Sequence, residues 1–347
     1  MICSFFYIFI AYDEYEESDS RERVIHQSSH PTDQNLHRRT NEKIERYGFN
    51  MSGKDVIVFL HIQKTAGTTF EKFLVRYLNT TEPCTCRAHK KRCTCPRPNS
   101  SNETWLFSRY STGWACGLHA DYTELFVNRC VERSLNKVTG KPKNRRYFYT
   151  TFLRDPIGRF ISEYRHVNRG ATWIASRHVC NGRMPTLDEL PLCFDPIIGW
   201  DGVSIDEFLK CPYNLAFNRQ TRMLANLSLI GCYENIALPS EERDRLMLAS
   251  AKENLKRLSY FGLKERMQDS QWMFEEMFGM QFTKKMSVWS KSKSNDTILS
   301  PSQLKAIRHV NLLDSELYEY ATTLFEERYQ SLRSENLSRK KLLTNLS

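Results

Sequence analysis

The stretch DVIVFLHIQKTAGTTFEKFLVRYL, residues 55–78, constrains the fold more than any other. Its β-branched, fully apolar start reads as a strand buried on both faces, the kind found inside a parallel sheet. A short turn of Lys, Thr, Ala and Gly follows, and then a segment with helical spacing of Phe70, Leu74 and Leu78. A strand that turns at once into a helix N-terminus presents backbone N–H groups and a positive dipole end, which suits an anion. Gly67 allows close backbone approach, Lys64 adds a charge, and Thr65, Thr68 and Thr69 add hydroxyls. The usual nucleotide loop G-x-x-x-x-G-K-[ST] places glycine before lysine; here Gly67 comes after Lys64, and no acidic partner for magnesium stands nearby. An ordinary strand–helix turn is the bland alternative.

A second strand, RYFYTTFL at 146–153, ends at Arg154-Asp-Pro, because proline cannot continue a central ladder. GRFISEYRHV reads as the helix that follows it and carries Ser162. An arginine at a strand's carboxyl end can grip a second phosphate through its fork of donors, or else pair locally with Asp155. Two strand–loop–helix units describe an open parallel α/β sheet, which binds ligands beyond the carboxyl ends of its strands. Two anion grips there predict a ligand with two separated phosphate-like groups.

Beyond these units, YNLAFNRQTRML (213–224), SEERDRLMLASAKENLKRL (240–258) and QDSQWMFEEMF (268–278) read as helices, and SYFGL (259–263) as a short strand. Residues 300–329 supply one or two more helices, opened by the N-cap Ser300 and by Pro301. Pro and Gly clusters make 185–212 irregular. The expected organisation is an apolar segment at 1–12, a stem at 13–52, one globular domain at 53–330 and a disordered polar tail at 331–347. MICSFFYIFIAY falls short of the roughly 20 apolar residues of a spanning helix, and reads as the remnant of a signal-anchor.

Charge and cysteine narrow the setting. Lys and Arg total 50 against 40 acidic residues, a formal +10, which favours a polyanionic partner: nucleic acid, an anionic membrane or an acidic polysaccharide. Ten of the 11 cysteines lie between Cys84 and Cys232; Cys3 stands apart. The pairs in CTCRAHKKRCTC depart from the usual zinc spacing. N-x-[ST] sequons at Asn50, Asn79, Asn99, Asn102, Asn226, Asn295, Asn336 and Asn345 fit a glycosylated luminal protein. In such a compartment the ten cysteines mostly pair, with a connectivity that sequence does not give.

From Asp55 to Tyr329 the chain closely resembles the heparan sulfate 6-O-sulfotransferases. HIQKTAGTTF, KKRCTC, ETWLFSRYSTGWACGLHADYTEL, YTTFLRDPIGRFISEYRHVNRGATW, YNLAFNRQTRMLANLSLIGCY and LLDSELYEYATTLFEERY carry the resemblance. It implies the α/β fold of sulfotransferases that use 3′-phosphoadenosine 5′-phosphosulfate (PAPS), with a P-loop-like central parallel sheet flanked by helices. It also implies sulfuryl transfer to the 6-hydroxyl of glucosamine without a metal, in the Golgi lumen, by a type II membrane protein anchored through its N-terminal segment. Heparan sulfate is then the partner, and nucleic acid is not. By the same resemblance His61, Ile62, Gln63, Lys64, Thr65, Ala66, Gly67, Thr68 and Thr69 hold the 5′-phosphosulfate. Arg154 and Ser162 hold the 3′-phosphate, and His119 is the catalytic base, with Lys64 steadying the departing oxygen. Arg109, Trp114, His166 and Trp173 match substrate contacts, and Lys91 and Arg92, in a basic knot with Lys90, join them. SVWSKSKS stands where the family has a segment that closes over PAPS, so Ser287, Val288, Trp289 and Lys293 replace its Thr-Gln-Phe and Arg. Ala66 replaces the first glycine of the family's K-T-G-G, which is strained where φ is positive. Two other readings stay open on sequence: a non-catalytic heparin-binding protein on this fold, and a P-loop kinase or NTPase.

Overall fold

The computed structural model describes residues 48–170, 179–195, 197–234, 238–287 and 299–344. The expected anchor at 1–12, most of the stem, and Cys3 lie outside them. No helix among the described residues is long and apolar enough to cross a membrane.

Four parallel strands form the central sheet, in the order β4-β1-β5-β6: β1 (Asp55–Leu60), β4 (Leu106–Phe107), β5 (Arg146–Leu153) and β6 (Tyr260–Leu263). Every residue of β1 is buried, as its unbroken apolar run requires. Leu60 lies opposite Thr151, and Leu153 opposite Leu263, so the three longer strands finish at one edge. A small antiparallel hairpin, β2 (Pro96–Arg97) with β3 (Ser100–Thr104), precedes β4.

Helix α1 (Gly67–Arg76) packs back on the sheet through Phe70, whose ring meets Phe152 at 4.9 Å and Phe274 at 5.2 Å. α2 (Cys130–Thr139) precedes β5, and α3 (Pro156–Val167) follows it, with Asp155 accepting a hydrogen bond from the Gly158 N–H. α4 (Ile205–Lys210), α5 (Arg219–Leu224), α6 (Ser240–Arg257), α7 (Met267–Phe278), α8 (Pro301–His309) and α9 (Leu312–Thr344) complete the helices named here. A second apolar cluster joins α3, α4 and α8 through Phe160, Phe208, Trp200 and Ile307.

Several boundaries differ from those read in sequence. The irregular stretch 185–212 contains α4, started by a capping box between Ser204 and Glu207. The helix expected over 213–224 begins only at Arg219. Before it, Asn214 bonds to the Phe208 carbonyl and the Ala216 N–H, and Asn218 takes a left-handed conformation (φ 45°). The segment read as a disordered tail continues α9 to Thr344.

Ten cysteines pair as Cys84–Cys95, Cys86–Cys93, Cys116–Cys130, Cys180–Cys232 and Cys193–Cys211. The first two are nested and clasp the Lys90–Arg92 turn.

Candidate active site

The carboxyl edge of the sheet opens on a cavity of about 380 Å³. His61, Gln63, Lys64, Ala66, Gly67, Thr68 and Thr69 line one side, and Arg154, Ser162 and His166 another. His119 and Arg109 close it. Residues more than 100 positions apart therefore meet because two parallel strands end together.

No side chain caps the N-terminus of α1, so its first N–H groups face the cavity uncapped. The loop that delivers them is left-handed at Lys64 (φ 66°) and Ala66 (φ 79°). Ala66 thus adopts the strained conformation. At Gly67 a Cβ would approach the Phe59 ring at 2.9 Å and His61 Nδ1 at 3.2 Å, so glycine is required by space rather than by φ. Thr65 turns inward and donates to the Ile62 carbonyl at 3.0 Å, and Ile62 is wholly buried. Both shape the loop from beneath without lining the cavity.

Arg154 is fixed by Gln220, which accepts from its N–H at 2.9 Å and donates to its carbonyl at 2.9 Å. Its guanidinium donates to the Lys64 carbonyl at 3.1 Å, tying the two strand ends together. Behind α3, a buried charge cluster secures the arrangement. Arg219 pairs with Glu163 at 2.8 Å, Arg159 bonds to Glu163, and Asp314 accepts from the Gln220 and Thr221 N–H groups at the start of α5. In two residues that line the cavity, buried polar groups, the Gln63 amide and Arg154 Nε, find no hydrogen-bond partner among the described residues. Buried polar groups are nearly always satisfied, so these mark places for a polar ligand.

His119 is also left-handed (φ 56°), which aims its ring at the cavity. Its Nδ1 lies 3.4 Å from the His61 carbonyl. A carbonyl can only accept, so Nδ1 carries the hydrogen and Nε2 keeps its lone pair. Burial, and then the neighbouring His61 and Arg219, hold its pKa well below 6.5, so the ring is neutral at pH 7. Trp114 packs against it, centroids 4.7 Å apart, and the Arg109 guanidinium sits 5.5 Å from the Trp114 ring. Lys64 is partly desolvated, and burial lowers its pKa.

Sequence reading passed over Glu71. It is fully buried on α1, with Oε2 2.5 Å from His61 Nδ1, while Oε1 accepts from the Arg109 N–H at 3.1 Å. Burial pushes its carboxyl up to about 8. The signal was its position: Phe70, Glu71, Leu74 and Val75 form the inward face of the helix. Lys264 and Met267 also line the cavity and were likewise missed.

Other expected contacts stand apart. Lys91 and Arg92 are exposed on the clasped turn, and Arg92 lines a neighbouring cavity with Thr112 and Arg145. Ser287 is exposed and does not line the cavity. Trp173, Val288, Trp289 and Lys293 lie outside the described residues. Among the described residues there is no group of three or more His, Cys, Asp or Glu that could hold a metal ion.

Comparison with known proteins agrees with this geometry. A model of the sulfotransferase family matches residues 47–321. Heparan-sulfate 6-O-sulfotransferase 2 of Gallus gallus is 50% identical over 84% of this chain and 72% of its own length. Heparan-sulfate 6-O-sulfotransferase 1-B of Danio rerio is 49% identical over 81% and 69%, and heparan-sulfate 6-O-sulfotransferase 1 of Cricetulus griseus 48% over 82% and 71%. The family match over most of the chain and these identities show that the chain belongs to the sulfotransferase family.

Proposed function

We propose that this chain transfers a sulfuryl group from PAPS to the 6-hydroxyl of glucosamine residues in heparan sulfate. The observation that carries the reading is one cavity in which the uncapped α1 loop, Arg154 with Ser162, and the neutral His119 converge. The names of the relatives supply the acceptor and its position. PAPS supplies an activated sulfuryl group whose leaving group is a phosphate. The unpartnered Gln63 amide and Arg154 Nε, with the open N–H groups of α1, fit a ligand rich in phosphate oxygens.

His119 Nε2 takes the proton of the acceptor hydroxyl as its oxygen bonds to sulfur. Lys64, which lines the cavity, would steady the oxygen that departs with the electron pair of the broken S–O bond, where a fixed cation counts most. By the family resemblance Arg109, Trp114 and His166 are acceptor contacts, and the Arg109 guanidinium beside the Trp114 indole offers both charge for sulfate and carboxylate and a surface for a sugar ring. We place the chain in the Golgi lumen, tethered through residues 1–12; five disulfides and the exposed sequons at Asn79, Asn99 and Asn102 support a luminal setting.

The test is sulfate transfer from labelled PAPS to N-sulfated heparosan by the full chain made in a secretory host, with His119→Ala alongside. New 6-O-sulfate that falls by at least about a hundredfold in the variant is expected. Sulfate at another position overturns the acceptor assignment. The left-handed Ala66 favours one other reading, a non-catalytic heparin-binding protein. Retained heparin binding without transfer selects it.

A further inference from the structure

Three neighbouring strands each hand their next residue to the cavity: His61 after β1, Arg154 after β5 and Lys264 after β6. Leu153 and Leu263 are register partners, so Arg154 and Lys264 leave the sheet side by side. Lys264 lines the cavity together with Arg154 and Ser162, and the buried Met267, on the first turn of α7, adds an apolar wall beside it. Burial and the Arg154 charge lower the Lys264 pKa, as expected for two cations facing one space. The nearby acids Glu265 and Asp155 act on Lys264 in the opposite sense, yet each also holds a hydrogen bond of its own. Glu265 accepts from the Tyr318 hydroxyl at 2.6 Å, and Asp155 from the Gly158 N–H at 2.7 Å. Part of the Arg154 fork is committed to the Lys64 carbonyl, which leaves fewer of its donors for a phosphate dianion there.

We propose that Lys264 is a specificity residue that completes, with Arg154 and Ser162, a second anion pocket for the phosphate remote from the sulfuryl group. It then separates adenosine 3′,5′-bisphosphate from nucleotides that lack a 3′-phosphate. A lysine is suited to this: its compact charge and three rotatable donors reach oxygens that a fixed guanidinium fork leaves unmet. The assignment rests on the PAPS reading.

Calorimetric titration of the full chain with adenosine 3′,5′-bisphosphate and with adenosine 5′-phosphate tests it, on wild type, Lys264→Met and Lys264→Arg. Thermal melts confirm that each variant is folded. Wild type is expected to prefer the bisphosphate. Lys264→Met should cut that preference by about tenfold, through weaker bisphosphate binding alone, and Lys264→Arg should keep most of it. Wild-type discrimination that survives in Lys264→Met overturns the assignment alone, as does equal weakening of both nucleotides. Folded wild type that binds neither nucleotide overturns the PAPS reading, and the assignment with it.

Discussion

Ala66 holds a conformation that its side chain resists. With φ 79° and ψ 7° it caps α1 from the left-handed region, where a Cβ crowds the backbone at a cost of about 1–2 kcal/mol. The loop needs that conformation, because it turns the first N–H groups of α1 toward the cavity. Glycine accepts it freely but gains freedom in the unfolded chain, which offsets roughly 0.5–1 kcal/mol. Ala66→Gly is therefore expected to stabilise the chain by roughly 1 kcal/mol and raise the melting temperature by about 2 °C, with bisphosphate affinity equal or higher. Calorimetry of the two proteins decides: a lower melting temperature in the variant means that surrounding contacts, not the dihedral, govern this position. Gly158 is the reverse case. A Cβ there would press on Asp155 Oδ2 at 3.1 Å and on the Arg154 guanidinium at 3.3 Å. Gly158→Ala should displace the arginine and weaken bisphosphate binding severalfold, while adenosine 5′-phosphate binding holds. An unchanged bisphosphate titration shows that Arg154 has room to yield.

At the scale of elements, β1 and α1 are locked by one proton. The His61–Glu71 pair joins the end of the strand to the helix that returns over it, and burial drives both groups toward neutrality. In the folded chain the pair keeps one proton up to about 8. In the unfolded chain Glu71 is ionised and His61 loses its proton above about 6.5. Between those limits the folded state binds one proton more, so stability falls as pH rises, by roughly 1.4 kcal/mol per unit. The sign follows from a carboxyl whose folded pKa lies above its unfolded one: its contribution is present at low pH and lost on the way up. Glu71→Gln keeps a hydrogen bond and removes the titration, so its melting temperature should change much less between pH 6.5 and 8 than that of wild type. Equal slopes would place the proton elsewhere. This pair also shows where sequence reading stops. β1, β5 and the helix after each were legible because a buried parallel strand and a 3.6-residue period both write themselves as apolar patterns. Glu71 and Lys264 were not, since a lone charge on an apolar face or at a strand end looks like surface until packing encloses it. The segment at 213–218 misled for another reason: Asn214 spends its side chain on local bonds, and Asn218 takes a left-handed backbone while its side chain accepts from the distant Asp314 N–H, which spacing alone does not reveal.

Across the whole molecule the sheet and the disulfides share the labour. Burial holds the strands: no disulfide among the described residues joins two strands of the central sheet, and all five bridges fasten the segments around it. Cys116–Cys130 brackets His119, while the nested Cys84–Cys95 and Cys86–Cys93 bridges clasp the exposed Lys90, Lys91 and Arg92. On the proposed reading the nucleotide lies at the sheet edge and the acceptor lies toward the stapled loops. The two should therefore separate under mutation. Opening Cys86–Cys93 by replacing both with serine frees a loop whose closure is worth roughly 2 kcal/mol, yet touches no residue of the cavity. The expected result is a polysaccharide KM raised severalfold and made less sensitive to salt, because three cations no longer hold one posture. Bisphosphate affinity and kcat should stay near wild type. A fall in bisphosphate affinity would show that the clasp supports the sheet edge itself. An unchanged KM would show that the basic turn lies off the path of the polysaccharide, leaving Arg109, Trp114 and His166 to hold the acceptor.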